Sequence, residues 1–405
     1  MPIYLYIVPF FPSSNSWRGG FFLDAVKALI RDGRYDVRVL STGAGYDYEI
    51  EGIKVYGIGS FKIGCSDYFS TITDIIKLWL FNSKLKQMKL SPKDISVCHV
   101  HLLERMAIYS DWIKRKNKEC FTLIHHHLTG MSAPEKSKLH WLFPFENEYK
   151  YFRLQKTFER ADLHVFCSEM ARDGFGKVFV GGLLEKGRDY RCFLKFSKWL
   201  KPLKYKESIV VYNGIDDTSF FKDDSKKAVG CFKIGCVANF IETKGQRVLI
   251  DAFIHIADKI PTAKLFFVGT GRTLEDCKKR VTDFGLNDRI VFCSEISHTM
   301  IKDFYQSLDL YVLPSYYEAF NCSLIEAYSC GSFVITTDVI SFKEVLNKEY
   351  ESLYLVPPMD HLELAKKILW VYTERPKMKQ LKKNLNIDVI TKEFLDKLNT
   401  NVEKR

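Results

Sequence analysis

The chain has 405 residues, of which 46% are hydrophobic and 27% charged, and its formal charge is +11. That length asks for two domains, with enough apolar residues for a sizeable core. The positive balance implies an anionic partner, a nucleotide or an acidic membrane surface; nucleic acid is not expected, since no recognition motif accompanies the charge. No stretch has the length of a membrane-spanning helix. Eleven scattered cysteines, with no CxxC pair and no Cys/His ligand spacing, read as reduced thiols of a cytosolic protein and give no structural zinc.

Strand and helix patterns alternate from end to end, predicting a doubly wound α/β architecture with parallel sheets. Residues 3–9 read as a first strand and not a signal peptide. A loop follows, then a helix over 21–31 and a strand over 37–40. Gly19-Gly20, between first strand and first helix, allows close backbone approach of a phosphate, or simply relieves crowding there. The stretch Ile75–Lys89 mixes apolar and basic residues; it fits an ordinary surface helix, or a helix lying on a membrane with Trp79 and Phe81 in the interface.

A strand over 95–100 ends at His99 and His101, a helix starts near Glu104, and a strand over 121–124 runs into His125-His126-His127. Histidines at the carboxyl ends of parallel strands face the crevice where such folds bind ligands. Three adjacent ones cannot share a direction, and without a carboxylate or thiolate cluster a metal there is not expected. Residues 141–206 are basic and aromatic, with a strand over 161–168 among them. Next come a strand over 208–216 ending in an Asn-Gly turn and a polar stretch, Asp217–Gly230, that looks like a linker. A second alternating series runs from 232, including a strand over 352–356. Two such domains in tandem leave a cleft between them.

The stretch Pro314–Gly331 organises this second series. An apolar strand, Leu308–Leu313, closes at Pro314, and a helix over 321–330 follows. Asn321 or Ser323 caps it and Gly331 ends it. Glu318 then lies on the strand-to-helix loop and Glu326 in the first helical turns, flanking a helix N-terminus suited to a phosphate. That arrangement fits a nucleotide with hydroxyl-rich parts extending both ways. It also fits an amphipathic helix with a solvated Glu.

Four stretches taken together carry a resemblance: Asn213–Asp216, Ala238–Gly245, Phe267–Gly271 and Tyr316–Gly331. In this order and spacing, over roughly 208–346, they resemble the retaining family 4 glycosyltransferases of the GT-B fold, the glycosyl transferases group 1. The resemblance implies two Rossmann-like domains facing each other across a cleft: 1–207 on the acceptor side, 208–385 binding the nucleotide sugar, and a tail over 386–405 that crosses back to the first domain. It implies that Glu326 accepts hydrogen bonds from the ribose hydroxyls, that Glu318 holds the transferred sugar, and that the backbone of Phe320, Asn321 and Cys322 lies against sugar and diphosphate. Lys244 would neutralise the diphosphate leaving group. Asn239 and Gly269 would line the donor, His125 would sit near its sugar, and Gly19 and Gly20 near the β-phosphate. Glu318, His125 and Lys244 are thus the expected catalytic residues. No metal and no cofactor are implied beyond the nucleotide-diphosphate sugar, which is substrate.

The chain departs from the family pattern. Asn239 stands where an arginine normally precedes the lysine by five positions, and cannot supply its charge or fork; Arg18 and Arg272 are the substitutes to test. Ala319, Asn321 and Ile340-Ser341 replace usual glycines. The implied acceptor is a saccharide or a lipid-linked saccharide of a bacterial surface polysaccharide or lipopolysaccharide. The implied location is cytoplasmic, peripheral on the inner face of an anionic membrane. A nucleotide-sugar epimerase of the same fold and a non-catalytic nucleotide-sugar-binding protein remain as alternatives. A Rossmann-type oxidoreductase fits least, because the glycine turn lacks the full fingerprint and its ribose acid.

Overall fold

The computed structural model describes residues 1–13, 19–59, 70–101, 103–127, 152, 155–177, 206–227, 229–294, 296, 298–316, 318–338 and 341–403. The basic, aromatic stretches 141–151 and 186–205, together with Arg18, Ile340, Cys65 and Cys192, lie outside them. The chain divides into two compact units: Met1–Phe11 with Phe22–Tyr212 and Asp388–Arg405, and Pro12–Phe21 with Asn213–Ile387.

The first unit is built on an eight-stranded sheet in the order β3-β4-β2-β1-β5-β6-β7-β8. Its strands are β1 (Ile3–Val8), β2 (Asp36–Ser41), β3 (Tyr48–Ile50), β4 (Ile53–Gly57), β5 (Ile95–His101), β6 (Phe121–His126), β7 (Leu163–Phe166) and β8 (Ser208–Val210). All pairings are parallel except β3 with β4. Tyr4 through Val8 are fully buried, as expected of a strand covered on both faces. Helices α1 (Gly20–Asp32), α2 (Ser70–Gln87), α3 (Leu103–Lys116) and α4 (Glu169–Lys177) accompany the sheet. The β3–β4 hairpin escapes the alternation pattern because its strands are short. Its turn is Glu51-Gly52, with φ of 50° and 78°, the pair of left-handed residues that a two-residue hairpin wants.

The boundary expected at 207/208 shifts. Ser208–Val210 pairs with β7 in the first sheet, and Val211 N donates to Phe166 O, so the stretch read as opening the second series instead closes the first sheet. Only three residues of the expected strand 208–216 pair there. Asp217–Gly230 is no free linker either: Phe220 is buried and Gln306 Nε2 donates to Phe221 O at 2.7 Å.

The second unit holds a six-stranded sheet in the order β11-β10-β9-β12-β13-β14, which numbered from its own first strand is 3-2-1-4-5-6, the Rossmann order. The strands are β9 (Phe232–Val237), β10 (Ala263–Val268), β11 (Ile290–Cys293), β12 (Leu310–Leu313), β13 (Phe333–Thr337) and β14 (Leu355–Val356), all parallel. Between them run α5 (Gln246–Ile256), α6 (Leu274–Asp283), α7 (His298–Gln306), α8 (Cys322–Ser329) and α9 (Glu351–Tyr354), and α10 (His361–Glu374) follows the last strand. The strand expected over 352–356 shrinks to two residues. The buried Tyr354 sits in the short helix α9, stacks on Phe333 and accepts a hydrogen bond from Lys379 N, and that side-chain anchoring overrides strand propensity. The last helix, α11 (Ile387–Glu403), packs in the first unit from Asp388 onward.

Candidate functional site

The order of the second sheet reverses between β9 and β12, and ligands of open α/β sheets bind beyond the carboxyl ends of strands at such a point. Four of the expected residues sit where these two strands end. Asn239 and Lys244 follow β9, and Glu318 and Asn321 follow β12. The two loops are locked backbone to backbone. Tyr316 N donates to Thr243 O at 3.1 Å, and Gly245, at φ 67°, leaves no room for a Cβ against the Pro314 carbonyl. Gly269 after β10 packs in the same manner against the Ala238 carbonyl. Glycine is required at both points for this close approach.

The locked loops bring Lys244 and Glu318 together as an ion pair, with side chains only 20% and 10% exposed. The fully buried Ser315 donates its hydroxyl to Glu318 Oε1 at 3.1 Å, and its carbonyl accepts from Thr337 Oγ1. Glu318 is therefore aimed by two donors from separate segments. Without a ligand, Lys244 and Glu318 neutralise each other; an incoming diphosphate would compete with the carboxylate for the ammonium.

Asn321 caps α8, its side chain accepting from Leu324 N at 3.1 Å and from Ser323 Oγ at 2.6 Å. Ser323 also meets the buried Tyr311 hydroxyl at 2.6 Å, which donates to Val237 O at 3.1 Å. This chain of polar contacts fixes the start of α8 against the end of β9. On the other side, Asn213 Nδ2 donates to Cys322 Sγ at 3.3 Å. Phe320 and Cys322 are partly exposed on this loop. Ser315 and Tyr311 are the members that sequence reasoning missed. Ser315 had a positional signal, standing between the strand-ending Pro314 and Glu318, whereas Tyr311 looked like any core aromatic.

Glu326 lies in the second turn of α8, partly covered. Burial pushes its carboxyl up to about 7, partly opposed by the neighbouring Tyr305 hydroxyl. A carboxylate held on the edge of ionisation is a hydrogen-bond acceptor short of donors, which is the state a ribose diol would relieve.

The cation missing at Asn239 is not replaced among the described residues of this unit by Arg272. That guanidinium is on the surface, paired with Glu242. Asn239 is itself exposed and uses its carbonyl to accept from Gln246 Nε2 at 2.9 Å.

Gly19 has φ 87° and Gly20 opens α1, so the glycine pair does make a left-handed turn into a helix, within the segment Pro12–Phe21 that groups with the second unit. In the first unit, His125 is the penultimate residue of β6 and is buried. The three adjacent histidines alternate as a strand requires: His125 and His127 stack together with His101, while His126 turns to the other face and meets His164 at 3.0 Å. All nine described cysteines are free.

Residues 217–386 match the family model of glycosyl transferases group 1. The chain is 34% identical over 167 residues to the lipopolysaccharide core biosynthesis mannosyltransferase LpsB of Rhizobium meliloti, covering 38% of this chain and 47% of that protein. It is 28% identical over 151 residues to a mannosylfructose-phosphate synthase of Agrobacterium fabrum, covering 33% of each. The chain thus spans at most about half the length of these curated relatives. Among solved structures, a sucrose-phosphate synthase from Thermosynechococcus elongatus is similar over 100% of both chains, with a TM-score of 0.70 at 16% identity. Anabaena HepE in complex with UDP and glucose is similar over 98% of this chain and 100% of its own, with a TM-score of 0.66 at 16% identity. Over residues 217–386 the second unit is thus similar to the glycosyl transferases group 1, and the chain has the GT-B fold.

Proposed function

We propose that the protein is a retaining glycosyltransferase that moves a sugar from a nucleotide-diphosphate sugar to a saccharide or lipid-linked saccharide acceptor, without a metal on the diphosphate. The observation that carries this reading is the Lys244–Glu318 pair, set beside the capped start of α8 at the switch point of the second sheet. On donor binding, Lys244 turns from Glu318 to the diphosphate and stabilises it as a leaving group. The freed Glu318, held by Ser315, takes hydroxyls of the transferred sugar. The backbone at Phe320–Cys322 and the dipole of α8 receive phosphate, and Glu326 takes the ribose. Gly269 and Asn239 line the donor. His125 is assigned to the donor sugar and Gly19-Gly20 to the β-phosphate on the resemblance alone. A relative named as a lipopolysaccharide core mannosyltransferase and a neighbour solved with UDP and glucose support a nucleotide-sugar donor and a surface-glycan acceptor. Work on such an acceptor puts the protein at the cytoplasmic face of a membrane.

The test is release of free nucleotide diphosphate from a panel of nucleotide sugars, with and without candidate acceptors. Glu326→Ala is expected to abolish release or raise KM steeply, and Glu318→Ala to lower kcat chiefly. Wild-type rates in Glu326→Ala would overturn the assignment. A second reading, a nucleotide-sugar-binding protein without turnover, draws on the exposed Asn239 where the arginine is missing. Saturable nucleotide binding with no release under any acceptor would select it.

A further inference from the structure

The ends of β5 and β6 gather histidines on one face of the first sheet. His101 pairs with His125 in the strand register, and the rings of His99, His101 and His125 lie with centroids 4.1 to 5.4 Å apart. Tyr6 and Phe22 wall the group, each within 5.1 Å of a histidine ring centroid. Nε2 of His99, Nε2 of His101 and both ring nitrogens of His125 are shielded from water and meet no hydrogen-bond partner among the described residues. A buried polar nitrogen without a partner carries an uncompensated desolvation cost, so three histidines with such nitrogens side by side require an explanation.

The second ring nitrogen of two of them is held. Tyr4 Oη lies 2.8 Å from His99 Nδ1, and His127 Nε2 lies 2.8 Å from His101 Nδ1. Fixing one imidazole nitrogen from behind is how proteins orient the other toward a metal. One ligand atom from each residue lies within 4.8 Å of the other two. Zinc–imidazole bonds of about 2.0–2.1 Å would draw these atoms inward, which the broad χ2 well of histidine permits.

We propose that His99, His101 and His125 form a binding site for a divalent transition-metal cation of the zinc class, through Nε2 of the first two and one ring nitrogen of the third. Three neutral imidazoles and no carboxylate favour such an ion over magnesium or calcium. Three protein ligands leave a coordination position for water or another small ligand. The site shares His125 with the donor-sugar role assigned above on resemblance, and metal binding is read without any nucleotide sugar, so the two readings fail separately.

The experiment uses the untagged full-length chain, stripped with a chelator and titrated with Co²⁺ as a spectroscopic probe, then with Zn²⁺ in competition. The expected result is one equivalent per chain, with a ligand-field band that Zn²⁺ removes. His101→Phe keeps an aromatic ring but no nitrogen and is expected to weaken binding at least a hundredfold. Tyr4→Phe, which frees only the orienting contact, is expected to weaken it about tenfold. His255→Ala, at an exposed histidine of α5, should bind as wild type. Should His101→Phe fail to fold, the wild-type titration and Tyr4→Phe still decide. No saturable binding to the wild-type chain, or unchanged affinity in folded His101→Phe, would overturn the proposal.

Discussion

Glu326 ties ionisation to stability and, in the role proposed for it, to donor binding. Its folded carboxyl titrates near 7 against an ordinary value of 4.5, because burial disfavours the anion. Between those values the folded state binds a proton that the unfolded chain has released. The stabilising contribution of the neutral acid is thus full below about pH 4.5 and lost as pH rises through 7. The size of the effect is about 3 kcal/mol. Glu326→Gln keeps the shape and removes the charge, so its melting temperature should exceed that of the wild type at pH 8 and match it near pH 5. Donor binding runs the other way, since the ionised carboxylate is the better acceptor for two hydroxyls. Wild-type kcat/KM for the donor should fall as pH drops below 7, while Glu326→Gln should be at least about tenfold lower at pH 8 and flat across that range. A pH-independent wild-type profile would remove Glu326 from the donor site.

At the scale of elements, α8 depends on its cap. Asn321 satisfies Leu324 N and receives the Ser323 hydroxyl, so Asn321→Ala should cost about 1 kcal/mol and raise donor KM together with it. Asn321→Asp preserves the cap but adds a negative charge where phosphate is proposed to bind. It should hold the melting temperature and still raise KM, which separates a binding role from a structural one. Helix α2 raises a different question. Phe81 and Leu85 bury one side of it, as an ordinary surface helix would, yet Ile75 and Trp79 stand 63% and 67% exposed on a side that continues to Lys86. An apolar pair followed by lysine suits the surface of an anionic bilayer. Co-sedimentation with vesicles containing anionic lipid should fall several-fold in Trp79→Ala, and binding indifferent to lipid charge would exclude this contact. Among the described residues no helix is long and apolar enough to cross a membrane.

At the scale of the molecule, both sheets and the placement of the candidate site's residues on the second were legible because long buried strands and glycine-marked turns leave strong local patterns. Pro314–Gly331 told most: its strand, its capped helix and its two glutamates all stand where the spacing put them. What was not legible depended on partners far away in sequence. Ser208–Val210 has the same apolar character whichever sheet it joins, and only its pairing with β7 decides. The Ser315 contact to Glu318 and the Tyr311–Ser323–Asn321 chain arise from loop geometry that no periodicity encodes. The tail shows how far such partners reach. In α11, Leu395 and Leu398 are buried in the first unit, and on one flank Arg31 donates to Asp388 and Arg34 to Asp396, both at 2.7 Å. The ion pairs are exposed and contribute little, so burial of the leucines carries the docking. Leu398→Ala should therefore destabilise the chain by about 2–5 kcal/mol, whereas Asp396→Ala should change stability by less than about 1 kcal/mol. Equal losses in the two variants, measured by denaturant unfolding, would show that charge and not burial holds the last helix in place.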